Sequence, residues 1–123
     1  MAAAEVLTGS TSYNGQRCTA IKLVMLHESV VDGFFEQFLP RIASLKGGLP
    51  WDDGVSITPL PEPNKTQHMK TLIADAISKG AKVLNEDTGG GYVKGNLMHP
   101  AVVFPVTPEM LLWEEEQVLF IQF

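Results

Sequence analysis

Apolar residues first gather at Ile21, Leu23, Val24 and Leu26, and the nearly unbroken run from Ala20 to Leu26 predicts a short buried strand. The period then changes. Val31, Phe34, Phe35, Phe38, Ile42 and Leu45 recur at helical spacing, with Ser29 placed as a cap and Asp32 three residues on, so an amphipathic helix is expected as far as Lys46-Gly47-Gly48. Pro40 has no amide hydrogen and should kink or split that helix. Turn formers dominate from Gly47 to Pro63, including Asp52-Asp53-Gly54 and Pro59, Pro61 and Pro63, with Val55 to Thr58 as a candidate strand.

The strongest helical signal opens at Asn64. Gln67 stands at the capping-box position, Met69, Leu72, Ile73, Ala76 and Ile77 form one stripe, and Gly80 ends it. Ala81 to Leu84 reads as a short strand, Asn85 to Gly95 as a polar excursion with a hairpin tip, and Val102 to Val106 as an extended segment interrupted by Pro105. Glu109 to Gln117 reads as one helical turn and Val118 to Phe123 as an apolar strand. Strands alternating with two main helices imply an α/β layer structure. No strand or helix is expected before Gly15, and the final strand leaves an apolar surface uncovered, so both ends are expected to belong to something larger.

Composition bounds the partners. The 123 residues, 45% of them apolar, suit one domain with a modest core. A formal charge of −5, with dispersed lysines and arginines, argues against nucleic acid or an anionic membrane and leaves room only for a small local anion site. No apolar run approaches the length of a membrane span, and Met1 to Leu7 has no basic flank of the kind that marks a signal peptide. A single cysteine excludes an internal disulfide and multi-cysteine zinc motifs, and points to a reducing, cytoplasmic setting. His27, His68 and His99 lack metal-ligand spacing and read as ordinary surface or half-buried residues. Gly89-Gly90-Gly91 neither precedes Gly-Lys-Ser/Thr nor opens a helix, so it reads as a turn and not a phosphate loop.

The candidate chemistry lies in Gly15-Gln16-Arg17-Cys18-Thr19-Ala20, a glycine-led turn carrying that lone cysteine between an arginine and a threonine. Two readings stay open. A lone cysteine is often a small buried hydrophobe, whereas a thiolate beside a guanidinium and turn amides is a stabilised nucleophile.

With its surroundings, this turn resembles the aldehyde dehydrogenase superfamily. Leu45-Lys46-Gly47-Gly48-Leu49-Pro50 resembles the family's Leu-Lys-x-Gly-x-Pro turn, and Ile57-Thr58-Pro59 its Gly-Pro-Leu segment. Ala76-Ile77-Ser78-Lys79-Gly80-Ala81 resembles its Ala-x-x-x-Gly-Ala helix end, and Gly95-Asn96-Leu97-Met98-His99-Pro100 its entry to a strand. Pro108-Glu109-Met110 and Trp113-Glu114-Glu115 resemble elements near the cofactor, and the likeness keeps the family's order over roughly residues 13–119. Gln16-Arg17-Cys18-Thr19-Ala20 followed by Ile21-Lys22 looks most like the plant-type, NADP-dependent, non-phosphorylating glyceraldehyde-3-phosphate dehydrogenases.

The resemblance implies a fragment, residues 1–123, of the α/β catalytic domain, without the cofactor-binding domain. It also implies covalent catalysis: Cys18 attacks an aldehyde, hydride passes to NADP or NAD, and water releases a carboxylate from the thioester. Arg17, with Thr19 beside it, would bind the substrate phosphate, the Cys18 amide would stabilise the oxyanion, and Glu115 would hold the nicotinamide ribose. The family's general base lies in a Glu-Leu-Gly-Gly type motif upstream of the cysteine, which residues 1–17 lack, and Glu116-Gln117 stands where Phe-Gly-Pro is expected. The isolated chain is therefore expected to be inactive, although full-length members are expected to form homo-oligomers acting on small aldehydes. The alternative is a non-catalytic truncated paralogue or gene-model fragment whose terminal strand pairs with a full-length subunit.

Overall fold

A computed structural model describes residues 1–115 and 120–122, with side chains through residue 115. The first element was not legible as one. Ala2–Thr11 form helix α1, started by three alanines of the highest helix propensity. Its apolar stripe is cut short by Thr8, Gly9, Ser10 and Thr11, which hid it from periodicity. Ser10 and Thr11 return their hydroxyls to the carbonyls of Val6 (2.6 Å) and Leu7 (2.7 Å), and so satisfy themselves locally. The expectation of no strand or helix before Gly15 is thereby corrected. Gly9 also lets the segment after the cysteine pass close by: Ile21 donates its N–H to the Gly9 carbonyl at 2.9 Å.

Helix α2, Val31–Ala43, follows a 3₁₀ turn at Glu28–Val30. The expected cap is different, because His27 Nδ1 accepts from the Ser29 amide at 3.2 Å. Pro40 does not split α2, which runs on to Ala43. The carbonyl that loses its partner there belongs to Glu36, on the exposed face, where water can replace the bond.

Helix α3, Lys65–Ser78, buries Thr66, Met69, Leu72 and Ala76, whereas Ile77 falls outside the buried stripe at 52% exposure. Asn64 caps it differently from the capping-box expectation. It sits at φ +66° with no side-chain cap, and its carbonyl accepts the His68 amide.

Strands β1 (Lys82–Val83), β2 (Val93–Lys94), β3 (Leu97–Met98) and β4 (Ala101–Phe104) follow, then the four-residue helix α4 (Leu111–Glu114) and strand β5 (Phe120–Gln122). The three-stranded sheet has the order β1-β4-β5, with Val83 opposite Val103 in an antiparallel pair and Val102 beside Ile121 in a parallel one. The expected hairpin is β2 and β3, turned at Gly95 with φ +61°. β4 stops at Phe104 because Pro105 has no N–H for the ladder. Two expected strands are absent as such. Ala20–Leu26 is irregular apart from a bridge at Leu23, and is half-buried with Met25 at 79% exposure. Val55–Thr58 reduces to one parallel bridge between Ile57 and Gly47. Of the last expected strand, Val118, Leu119 and Phe123 lie outside the described residues, as do Glu116 and Gln117 of the preceding helical turn.

β4 divides the core by simple alternation. Ala101 and Val103 join Met69, Leu72 and Ala76 of α3, whereas Val102 and Phe104 meet Phe35, Phe38 and Ile42 of α2 together with Ala3 of α1. The result is helix, sheet and helix in three layers, each full side-chain burial contributing about 1.5–3 kcal/mol.

Candidate functional site

The cysteine turn leaves α1 through a 3₁₀ turn at Ser12–Gly15, where Tyr13 (φ 54°), Asn14 (φ 57°) and Gly15 (φ 69°) take left-handed conformations in succession. Non-glycine residues adopt that region only when held there. Asn14, 4% exposed, is held by Thr58. Its Nδ2 donates to the Thr58 carbonyl (2.9 Å) and to Thr58 Oγ1 (2.8 Å), and its Oδ1 accepts from the Thr58 amide (3.0 Å). Lys22 Nζ donates to the Gly15 carbonyl at 2.6 Å.

Beyond this anchor the chain turns at Arg17–Ala20, closed by the Ala20 amide on the Arg17 carbonyl at 3.1 Å, with Cys18 and Thr19 at its corners. Cys18 is a free, exposed thiol, which removes the buried-hydrophobe reading. It lines a cleft of about 330 Å³ with Gly15, Gln16, Arg17, Lys22, Glu62 and Lys65. Three cations and one carboxylate thus line the cleft together with Cys18, and Lys65 and Glu62 are only loosely paired at 3.8 Å. The Arg17 guanidinium lies over the exposed Tyr13 ring, 4.4 Å from its centroid. Thr19 is exposed on the same turn but does not line the cleft.

Glu115 is in a different place. It borders a second cleft of about 440 Å³ with Glu114 and Pro108–Leu111. There its Oε1 lies 3.0 Å from Nε2 of His68, both side chains being part-exposed. The structure therefore does not bring Glu115 into the cysteine cleft. It does link the two, because Lys65 and His68 stand three residues apart on α3, the spacing at which helical side chains are neighbours. His68 and Lys65 are the residues that sequence reasoning missed. His68 was set aside for lacking metal spacing, and its partner lies 47 positions away.

The far end of α3 fixes the Glu115 segment. Asp75 Oδ2 accepts the Leu111 amide at 2.8 Å, while Lys79 bonds Asp75 Oδ1 (2.7 Å) and the Glu109 carbonyl (2.6 Å). Asp75 is held below the ordinary aspartate range, first by the Lys79 hydrogen bond and then by the Leu111 amide. Glu109 is lowered as well, chiefly by a hydrogen bond from Thr107. A larger, mostly apolar groove of about 710 Å³ beside α1 and the start of α2 is lined by no charged side chain, its polar side chains being Ser29 and Gln37. Among the described residues no group of His, Cys, Asp and Glu could hold a metal ion, and no helix is long and apolar enough to cross a membrane.

The chain is thus a mixed α/β segment that carries an exposed cysteine turn. The model of the aldehyde dehydrogenase family matches residues 1–118, and the chain belongs to that family. The match takes in α1, ahead of the region where the resemblance was first read. The chain is 38% identical over 116 residues to the NADP-dependent glyceraldehyde-3-phosphate dehydrogenase of Pisum sativum, covering 94% of this chain and 22% of that protein. The structure of NADP-dependent glyceraldehyde-3-phosphate dehydrogenase from Bacillus halodurans C-125 complexed with NADP superposes with a TM-score of 0.86 at 35% identity, over 98% of this chain and 25% of that one. A salicylaldehyde dehydrogenase from Pseudomonas putida G7 complexed with salicylaldehyde superposes equally well, with a TM-score of 0.87 at 27% identity, over 98% of this chain and 25% of that one. The chain thus spans about a quarter of the length of these relatives, and the shared fold by itself does not select a substrate.

Proposed function

We propose that this chain carries the nucleophile of an NADP-dependent oxidation of glyceraldehyde 3-phosphate to the carboxylate. The observation that supports it best is the exposed Cys18 thiol in a cleft lined by Arg17, Lys22 and Lys65. Cations beside a nucleophile suit a small phosphorylated aldehyde, because they can hold the phosphate while the sulfur meets the carbonyl carbon. In this reading Sγ of Cys18 forms a bond to the aldehyde carbon, and the Cys18 amide stabilises the oxyanion. NADP, when bound, supplies the acceptor for the hydride that leaves that carbon. Water then releases the carboxylate and restores the thiol. Arg17 contacts the substrate by leaving the Tyr13 ring to reach the phosphate, and Thr19, outside the cleft on the same exposed turn, contacts it only once the turn rotates toward the cleft.

The residues present fit one end of the dinucleotide. Glu115, oriented by His68, has the acceptor oxygens to hold the nicotinamide ribose hydroxyls. Among the described residues no glycine-rich turn opens a helix to receive the pyrophosphate. In this reading these 123 residues, about a quarter of the length of the relatives they match, have negligible dehydrogenase activity alone, and the active, full-length form is a cytoplasmic homo-oligomer. Glyceraldehyde 3-phosphate and NADP incubated with the purified chain should give no reduction above background. A rate that Cys18→Ala abolishes would overturn inactivity of the chain alone. In a chain completed with the family's cofactor domain, Arg17→Ala should lose preference for the phosphorylated over the unphosphorylated aldehyde, and unchanged preference would remove Arg17 from that role.

A second reading is favoured by β5 standing last in the order of the strands among the described residues. There a truncated, non-catalytic chain could offer its backbone to a full-length subunit. Cys18 reacting with a thiol reagent no faster than a model thiol would favour it.

A further inference from the structure

We propose that Asn14 is a positioning residue for Cys18, its side-chain amide acting as a clamp that holds the two walls of the cysteine cleft together. The inference rests on Cys18 being the nucleophile. One wall is the turn from Gly15 to Cys18, and Lys22 is tied to it through the Gly15 carbonyl. Glu62 and Lys65 form the other wall, on the chain that continues from Thr58 into α3. Asn14 is the junction. Its amide pairs with both the N–H and the C=O of Thr58 and also reaches Thr58 Oγ1, so one buried side chain does what a pair of strand hydrogen bonds would do.

The backbone shows why the clamp matters. Tyr13 is a bulky residue at φ 54°, followed by Asn14 and Gly15 also at positive φ, and this triplet sets the direction in which the cysteine turn leaves α1. Such a run reverts to ordinary conformations unless its surroundings hold it. Without the bonds to Thr58, the triplet relaxes, the turn swings away from α3, and Cys18 loses the ammonium of Lys65 as a neighbour across the cleft. Asn14 touches neither substrate nor reacting atoms in this account. It acts through the geometry of Cys18.

A readout of charge environment separates this role from mere stability. Cys18 is alkylated in the purified chain by neutral iodoacetamide and by anionic iodoacetate, and the ratio of the two rate constants is compared with that of a short cysteine peptide. Thiolate fraction and simple exposure affect both reagents alike, so the ratio reports the cations that face the sulfur. The unaltered chain should favour iodoacetate by about fivefold over the peptide at low ionic strength, a preference that salt erases. Asn14→Gly keeps the positive φ permissible while deleting the clamp, and should lower the ratio to the peptide value. Asn14→Asp keeps an acceptor for the Thr58 amide, and should recover part of it. Thr58→Ala, which removes only the Oγ1 acceptor, should lower it in the same direction and serves if Asn14→Gly does not fold. An elevated ratio unchanged in all three variants would overturn the clamp and leave the proposed function standing. A peptide-like ratio in the unaltered chain would instead remove the assembled cationic cleft, and with it both readings.

Discussion

Nε2 of His68 lies 3.0 Å from Oε1 of Glu115, so the first turns of α3 reach the residue that follows α4. Asp75 makes a second tie further along α3, through the Leu111 amide at 2.8 Å. Glu115 is therefore placed from the same helix whose first residue, Lys65, lines the cysteine cleft.

Removing the first tie should matter little for stability. The pair is part-exposed, and exposed ion pairs are worth about 0–1 kcal/mol. His68→Ala should therefore leave the urea midpoint almost unchanged. In a chain completed with the cofactor domain it should raise the KM for NADP with a smaller change in kcat, since in the role proposed for Glu115 an unheld carboxylate would bind the ribose less well. Equal loss in kcat and kcat/KM would instead place His68 in the chemical step.

The Asp75 tie predicts a pH dependence. Its carboxyl is lowered mainly by the Lys79 hydrogen bond and next by the Leu111 amide, so the folded chain holds the proton less tightly than the unfolded chain does. The resulting stabilisation is complete above the unfolded value of about 3.9 and is lost as pH falls through the lower, folded one. Urea midpoints measured from neutral to acid should fall in that window. Asp75→Asn should lower the midpoint at neutral pH and flatten part of the acid fall. Glu109, also lowered, should account for some of what remains.

Asn85 is a buried polar group with a structural task. At 6% exposure it donates to the Pro100 carbonyl and accepts from the Val102 amide, each at 2.9 Å, and so fixes the entry to β4. Asn85→Ala should cost about 1–3 kcal/mol by leaving buried backbone groups unpaired. Gly90→Ala should destabilise as well, because a Cβ there would collide with the Asn85 amide. Chemical denaturation of both variants and of the double mutant checks this. The double mutant should lose less than the sum, since both changes act on one side chain.

These cases show what the sequence made legible. The stripe of Met69, Leu72 and Ala76, the break at Gly80 and the hairpin at Gly95 are local signals, and each predicted its element. Ala20–Leu26 has a strand's composition, but it packs beside α1 as an irregular segment with a single bridge at Leu23. Helix α1 was missed because its second half is Thr, Gly, Ser and Thr, whose hydroxyls satisfy the backbone without leaving an apolar period. The cysteine turn was legible as a motif, whereas Asn14, Lys65 and His68 were not. Each depends on a residue or a wall far away in sequence, 44 positions from Asn14 to Thr58 and 47 from His68 to Glu115, and no periodicity encodes such a pairing.

The alternation along β4 yields a final prediction. Phe38 and Leu72 are both fully or nearly buried, at 0% and 2% exposure, but they pack in clusters that meet opposite faces of the same strand. Phe38→Ala should cost about 3–5 kcal/mol and Leu72→Ala about 2–5 kcal/mol, the transfer loss being increased by whatever cavity fails to collapse. Val102 stands in one cluster and Val103 in the other, with the partly buried Leu45 packed against both, and the costs should add to within about 0.5 kcal/mol, Leu45 carrying at most that remainder. Either loss is a large fraction of the stability of a domain this size, so the double mutant is best compared in a stabilised background, such as sulfate or added osmolyte. A coupling well above that bound would mean that β4 shifts to fill one cavity at the expense of the other side, and that the sheet is a compliant layer instead of a fixed wall.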